Sequence, residues 1–380
     1  MKKNQYLMDF SLGLINRTGA YFVCRDILEQ LPEYFPSVRY WRMMLQRTPD
    51  GTSRRIVARL MMLELRLLRG REIAHWPEGR FVQGRTRLIL DPLYVLRSKL
   101  EREDIVQCHD IGPVSHPELF GPLISGLYEE AYQKIKRTGC GMVFVSDASQ
   151  SAFRERYGDK FRFMQTVAQY VRPGILSGET SPCPGVKAPF LLTVGALELR
   201  KNHLRVLEAY QRSGLHKRGV GYVFCGARGI GSDEILKKAS TIPGVTALGY
   251  VTEPQLRWLY MNGCGFVLPS MLEGFGLPPI EAAQRGLVPL VTAGGAQEEA
   301  IGGAGVLVDP YCLESITDGL VRLVDMSADE RSAHLQKTVR RGKVLTFNRY
   351  ISAWDKILQK NDKFMHTDGW AASDSEELVA

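Results

Sequence analysis

The sequence contains no run of about 18 apolar residues, so none of it reads as a membrane-spanning helix. It has no C-x-x-C pair. Cysteines 24, 108, 140, 183, 225, 264 and 312 are scattered and odd in number. That argues against a disulfide framework or a structural zinc site and fits a reducing compartment. No zinc-finger spacing or RNA-recognition motif is present, so nucleic acid is not an expected partner. There is no internal repeat. With 44% hydrophobic and 24% charged residues, collagen-like, coiled-coil and largely disordered chains are excluded. Residues 1–19 open with two lysines, but Asp9, Asn16 and Arg17 break the apolar stretch. The segment reads as a strand and loop, not a signal peptide.

What is present is 380 residues, enough for two domains with sizeable cores. The net charge is +8, and nearly all of it is local. Residues 51–100 hold eleven basic side chains against Glu64, Glu72, Glu78 and Asp91, a surplus of +7. Such a concentration attracts anions. Within it, residues 53–71 have helical periodicity. Ile56, Leu60, Leu63 and Leu67 form one stripe, with Arg55, Arg59, Arg66 and Arg69 towards its flanks. Two readings stand: a core-facing helix with a solvated basic face, or a face resting on an anionic membrane.

The chain divides into two α/β halves. In the first, residues 5–10, 105–108 and 142–145 are strand-like, and 25–34 and 123–137 helix-like. Residues 171–189 carry four prolines and three glycines without periodicity and read as a linker. In the second half, apolar strands at 190–194, 221–225, 245–249, 265–268, 287–291 and 306–308 alternate with helices, implying a parallel sheet. Asn202 is placed to cap the helix that follows it, and Thr252 another. The expected organisation is a first α/β domain (1–172), a linker (173–188), a second α/β domain (189–345), a last helix (346–362) and an acidic, poorly ordered tail (363–380).

The string S-M-L-E-G-F-G-L-P-P-I-E at 270–281 is the most informative. Gly274 and Gly276 let backbone N–H groups approach a ligand closely. Pro278 and Pro279 suit the start of a helix, which places Glu281 in its first turn. Two carboxylates, Glu273 and Glu281, then flank exposed amides at a helix N-terminus. Carboxylates accept hydrogen bonds from sugar hydroxyls, and the amides and dipole favour phosphate.

This pattern resembles the E-x₇-E signature of retaining glycosyltransferases of family 4, which have the GT-B fold of two Rossmann-like domains. G-A-L-E-L-R-K-N-H (195–203), V-F-C-G-A (223–227) and residues 286–310 resemble other stretches of that family in order. In the first half, C-H-D-I-G-P (108–113), V-S-D-A-S (145–149) and R-T-G-A-Y (17–21) do the same, and Y-I-S-A-W (350–354) resembles the last helix, which crosses back to the first domain.

The resemblance implies roles. Glu281 would bind the ribose hydroxyls. Glu273, with the amides of Gly274, Phe275, Gly276 and Leu277, would hold the transferred sugar and its phosphate. Lys201 and Arg200, beside Gly195, would neutralise the leaving diphosphate. His109 would stand near the reacting face of the donor sugar, and Gly19 would let its loop approach the phosphates. Glu299 is placed to help position the nucleotide. Many relatives carry Arg where this chain has Ala196. No metal or other cofactor is implied, because Lys and Arg can stabilise the leaving diphosphate. The activity implied is transfer of a hexose from a nucleotide sugar, with GDP-mannose as first donor. The acceptor is a glycan or a polyprenyl-diphosphate-linked oligosaccharide of polysaccharide biosynthesis. The expected location is cytoplasmic, peripheral to the membrane. Glucosyl, rhamnosyl or N-acetylhexosaminyl transfer, another GT-B activity (an epimerase or a phosphorylase), and a non-catalytic nucleotide-sugar-binding homologue remain open.

Overall fold

The computed structural model describes residues 5–15, 19–45, 47–67, 86–97 and 99–366. The chain forms two compact units: residues 1–169 with 348–380, and residues 170–347.

The first unit is built on a seven-stranded sheet. Its strands are β1 (Leu7–Asp9), β2 (Ser37–Tyr40), β3 (Met43–Met44), β4 (Arg87–Ile89), β5 (Ile105–Cys108), β6 (Gly141–Phe144) and β7 (Phe163–Thr166). Their order is β3-β2-β1-β4-β5-β6-β7, all parallel except the edge strand β3. Two of the central strands carry arginines inside the unit. Arg39 on β2 is paired with Asp9 at 2.7 Å, and Arg87 on β4 with Asp104 at 3.3 Å. The helix Phe347–His366 completes this unit. Its Trp354, Ile357 and Leu358 are buried. Tyr350 donates to Val23 O at 3.0 Å, and Tyr6 donates to Leu358 O at 3.1 Å. The crossover helix therefore runs to His366, past the expected end at 362. The remainder of the acidic tail, 367–380, lies outside the described residues.

The helix Gly51–Leu67 does not bury the stripe its sequence singles out. Met61 and Leu65 are the buried residues, whereas Ile56, Leu60, Leu63 and Leu67 are 52%, 48%, 49% and 67% exposed. The helix turns Val57, Ala58, Met61, Glu64 and Leu65 inward, so the core-facing reading of that stripe is overturned. Residues 68–71 of the expected helix, with Arg69, lie outside the described residues.

The second unit holds β8 (Phe190–Val194), β9 (Gly221–Cys225), β10 (Val245–Ala247), β11 (Gly265–Leu268), β12 (Pro289–Thr292) and β13 (Val306–Val308). The order is β10-β9-β8-β11-β12-β13, parallel throughout. This is the doubly wound order, with its switch point between β8 and β11, and ligands bind there, outside the carboxyl ends of the strands. Apolar clusters cover both faces. One is centred on Leu207, Tyr210, Ile316 and Leu320, the other on Phe190, Leu259, Tyr260 and Phe266.

The proline-rich stretch is not a loose spacer. Ile175 and Cys183 are buried in the second cluster. Arg257 donates to Glu179 O at 2.7 Å and Gly174 O at 2.8 Å, and Arg285 donates to Ile175 O. Val171 N also donates to Leu345 O, so the break between units falls before Tyr170 rather than at 172.

Candidate active site

At the β8/β11 switch point the backbone comes first. Gly195, after β8, and Gly226, after β9, press together. A Cβ on Gly226 would fall 1.9 Å from Gly195 O, and a Cβ on Gly195 would meet the Lys201 stem at 3.0 Å. Only bare backbone fits, and it lets Lys201 reach the end of β11. Asn202 adopts a left-handed conformation (φ 63°) and makes no side-chain cap, contrary to expectation. Its amide instead donates to Pro269 O at 3.0 Å and Pro310 O at 2.8 Å. It thereby ties the Lys201 turn to the ends of β11 and β13. Thr252 caps its helix as expected, in a capping box with Gln255.

Lys201 is buried, and its Nζ lies 2.5 Å from Glu273 Oε1. Arg200 Nη1 stands 3.3 Å from Glu273 Oε2 while its Nε donates to Glu198 at 2.7 Å. Ser270 Oγ donates to Glu273 Oε1 at 3.0 Å. Two cations and two carboxylates thus balance. Burial alone would raise the Glu273 carboxyl. The charges of Lys201 and Arg200 and the hydrogen bonds outweigh it and pull its pKa down to about 2. Glu273 is therefore an anion at any neutral pH.

The helix after the glycine loop begins at Leu277, not at Pro278 or Pro279, with Gly276 (φ 99°) as its N-cap. Phe275 and Leu277 bury their side chains, so what they present to a ligand is backbone N–H. The early start moves Glu281 from the first turn to the second and turns it inward. It is 3% exposed. Tyr260 donates to Glu281 Oε2 at 3.1 Å, and Arg172 Nε is 3.5 Å from Glu281 Oε1. Burial raises its pKa against the opposing pull of Arg172 and Tyr260.

The structure therefore gathers Lys201, Arg200 and Glu273 into one cluster and places Glu281 in another with Tyr260 and Arg172. Sequence reasoning gave no role to Glu198, Ser270, Tyr260 or Arg172. Arg172 was hidden at the edge of a proline-rich stretch that gave no sign of a charged partner. Glu298 accepts from Gly294 N at 2.6 Å at the start of the helix Gly295–Ile301, which also carries Glu299. Ala196 follows Gly195 directly after β8. His203 Nε2 donates to Ala196 O at 3.3 Å, but burial pushes the His203 pKa down to about 4 and keeps it neutral.

His109 belongs to the first unit, directly after β5. Its Nε2 donates to Leu90 O at 3.1 Å, just past β4, and its own carbonyl accepts from Ser149 Oγ at 3.1 Å. Gly19 is the first residue of the helix Gly19–Gln30, and residues 16–18 before it lie outside the described residues.

Residues 184–341 match the family described as glycosyl transferases group 1. An O-antigen chain mannosyltransferase B of Escherichia coli is 32% identical over 132 residues, 34% of this chain and 35% of the relative. A serotype-specific mannosyltransferase of the same species is 30% identical over 108 residues, 27% of this chain and 13% of the relative. A glycogen synthase of Thermus thermophilus is 30% identical over 150 residues, 38% of this chain and 34% of the relative. The matches thus span about a third or less of these relatives' own length. Among solved structures, an α,α-trehalose-phosphate synthase (UDP-forming) from Burkholderia vietnamiensis superposes with a TM-score of 0.57 at 13% identity, over 74% of this chain and 72% of that one. Another trehalose-6-phosphate synthase gives 0.59 at 13%, over 91% and 83%. At such identity the likeness is one of fold, and that fold is GT-B. Residues 184–341, with the Lys201–Glu273 cluster among them, thus match the glycosyl transferases group 1 family, in a chain that has the GT-B fold and resembles mannosyltransferases in sequence.

Proposed function

We propose that the chain is a retaining glycosyltransferase that moves a hexose, first of all mannose from GDP-mannose, from a nucleotide sugar to a glycan or lipid-linked oligosaccharide. The observation that carries this reading is the buried Lys201–Glu273 pair, with the half-buried Arg200 beside it, at the β8/β11 switch point. Breaking the sugar–phosphate bond builds negative charge on the leaving diphosphate, and Lys201 and Arg200 are preorganised cations for it. Glu273 fixes where Lys201 stands, and Glu281 is the acceptor for the ribose hydroxyls. The leaving phosphate oxygen can take the proton of the acceptor hydroxyl, so this route needs neither a protein base nor a metal ion. His109, at the carboxyl end of β5, is assigned to the donor sugar.

Mannose is supported by the mannosyltransferase relatives and by the R-K-N string at 200–202. Glucose from UDP-glucose is the second reading, supported by the glycogen synthase relatives. A polyprenyl-diphosphate-linked acceptor on the cytoplasmic face of a membrane is supported by the helix Gly51–Leu67. Its exposed Ile56, Leu60, Leu63 and Leu67 lie beside Arg55, Arg59 and Arg66. The test is incubation with GDP-mannose, UDP-glucose and other nucleotide sugars, with the product's anomeric configuration read by NMR. Mannosyl transfer with an α-linked product from the α-linked donor supports the reading. An inverted product, or turnover of none of the donors, rejects it.

A further inference from the structure

Where the chain leaves β11 for the glycine loop, side chains from elsewhere in the second unit hold its backbone. Four carbonyls between Leu268 and Leu272 accept hydrogen bonds, each from a different side chain. Gln297 Nε2 donates to Leu268 O at 2.9 Å and Asn202 Nδ2 to Pro269 O at 3.0 Å. Thr292 Oγ1 donates to Ser270 O at 2.6 Å, and Arg200 Nη1 to Leu272 O at 3.3 Å. The backbone of the Lys201 turn adds a fifth hold, with Met271 N donating to Arg200 O at 2.8 Å. A segment past the end of its strand has no ladder to satisfy its polar groups, so these bonds set its course.

Thr292 and Gln297 belong together. Thr292 ends β12, the neighbour of β11, and Gln297 lies in the helix Gly295–Ile301 that follows. Gln297 is buried, and its Oε1 accepts from Thr292 N at 3.4 Å. With its Nε2 on Leu268 O, this one side chain bridges the ends of β11 and β12. It also backs the glycine loop, since a Cβ on Gly276 would fall 3.2 Å from Gln297 Cγ. Thr292 leads to the ion pair itself. Ser270, whose carbonyl it holds, turns its own Oγ onto Glu273 Oε1 at 3.0 Å, and that oxygen is the one facing Lys201 Nζ. The path Thr292–Ser270–Glu273–Lys201 is continuous in bonds, and a buried network with its members satisfied is rigid.

We infer that Thr292 and Gln297 are positioning residues for the Lys201–Glu273 pair: they fix the exit from β11 and, through Ser270, the place of the Glu273 carboxylate. They act through that carboxylate rather than on the donor. A shift of about 1 Å in such a group can cost about 10²-fold in rate. Asn202 and Arg200 hold the same segment, so loss of the Thr292 hydroxyl displaces it without unfolding it. The effect on turnover rests on the transferase reading above; the holding of the segment does not.

The test compares Thr292→Val, which keeps the shape and loses the hydroxyl, with Thr292→Ser, which keeps the hydroxyl. Gln297→Leu is the second variant. In the full-length protein without ligand, hydrogen exchange read by mass spectrometry follows the amides of Ser270 and Met271. Thr292→Val and Gln297→Leu should exchange there faster by about fivefold or more, with β8 and β9 unchanged. Thr292→Ser should exchange as the wild type does. In turnover of a nucleotide sugar, Thr292→Val should lower kcat by about tenfold or more with the donor KM within about threefold, and Thr292→Ser should recover the loss. A merely structural hydroxyl would lower the denaturation midpoint and leave kcat in place. Wild-type exchange at Ser270 and Met271 in both Thr292→Val and Gln297→Leu overturns the inference. So does faster exchange with wild-type kcat, or a Thr292→Ser as impaired as Thr292→Val. A wild type that turns over no nucleotide sugar rejects the transferase reading instead, and the exchange arm then decides the positioning by itself.

Discussion

Lys201 and Glu273, 72 residues apart in the chain, meet in a buried ion pair of 2.5 Å where β8 and β11 diverge. The pair makes each residue depend on the other. Glu273 keeps its charge in a buried position because Lys201 and Arg200 face it. Lys201 keeps its place because Glu273 and the tight Gly195 backbone leave it one path.

Lys201→Ala should therefore do two things. It should lower kcat by about 10²-fold, because the charge acts on the diphosphate as it departs. It should also destabilise the chain by about 3 kcal/mol, the low end for a broken buried pair, because Arg200 and Ser270 still hold Glu273. Single-turnover kinetics and urea denaturation read the two separately. Wild-type turnover in this variant would remove Lys201 from the site.

Acid should weaken the second unit in two stages. His203 has a pKa of about 4 in the fold, against about 6.5 in an unfolded chain. The unfolded state takes the proton first, so stability falls as pH drops from about 6.5 to about 4, by roughly 3 kcal/mol in all. Glu273 has a pKa of about 2 in the fold, against about 4.3 unfolded. Its contribution is complete above about 4.3 and is lost as pH falls towards 2. Denaturation midpoints against pH for the wild type and His203→Gln test the first stage, since the variant should lose most of the slope between pH 6.5 and 4.

Much of this was legible in the sequence. The 265–281 stretch reads directly as strand, glycine loop and helix, because its apolar run, glycines and prolines each signal one local conformation. The turn at 200–202 was legible as basic, but not as half of an ion pair, because nothing local tells Lys201 that Glu273 will face it. Strands β2 and β4 were obscured by Arg39 and Arg87, which look like surface residues until Asp9 and Asp104 neutralise them across the fold. Glu281 was placed one turn too early because the helix starts at Leu277, before the prolines that mark its first turn. The helix Gly51–Leu67 was legible as amphipathic, but its apolar stripe faces outward. Periodicity shows that a face exists and not what it meets.

That outward stripe gives a prediction of its own. If it rests on an anionic membrane, the wild type should co-sediment with phosphatidylglycerol vesicles at low salt and be released as salt rises, each basic side chain contributing about 1 kcal/mol. Replacing Arg55, Arg59 and Arg66 with Gln should release it while sparing hydrolysis of the donor sugar. A wild type that ignores such vesicles at low salt removes the membrane from the account.

The central claim is that the second unit holds a nucleotide between Glu281 and the Lys201–Glu273 pair, and calorimetric titration with GDP and with UDP tests it most directly. The account predicts that the wild type binds at least one of the two. Glu281→Ala should bind it more weakly by about 1–3 kcal/mol, the worth of lost charge-assisted hydrogen bonds to the ribose. Binding that is absent in the folded wild type, or unchanged in Glu281→Ala, would contradict it.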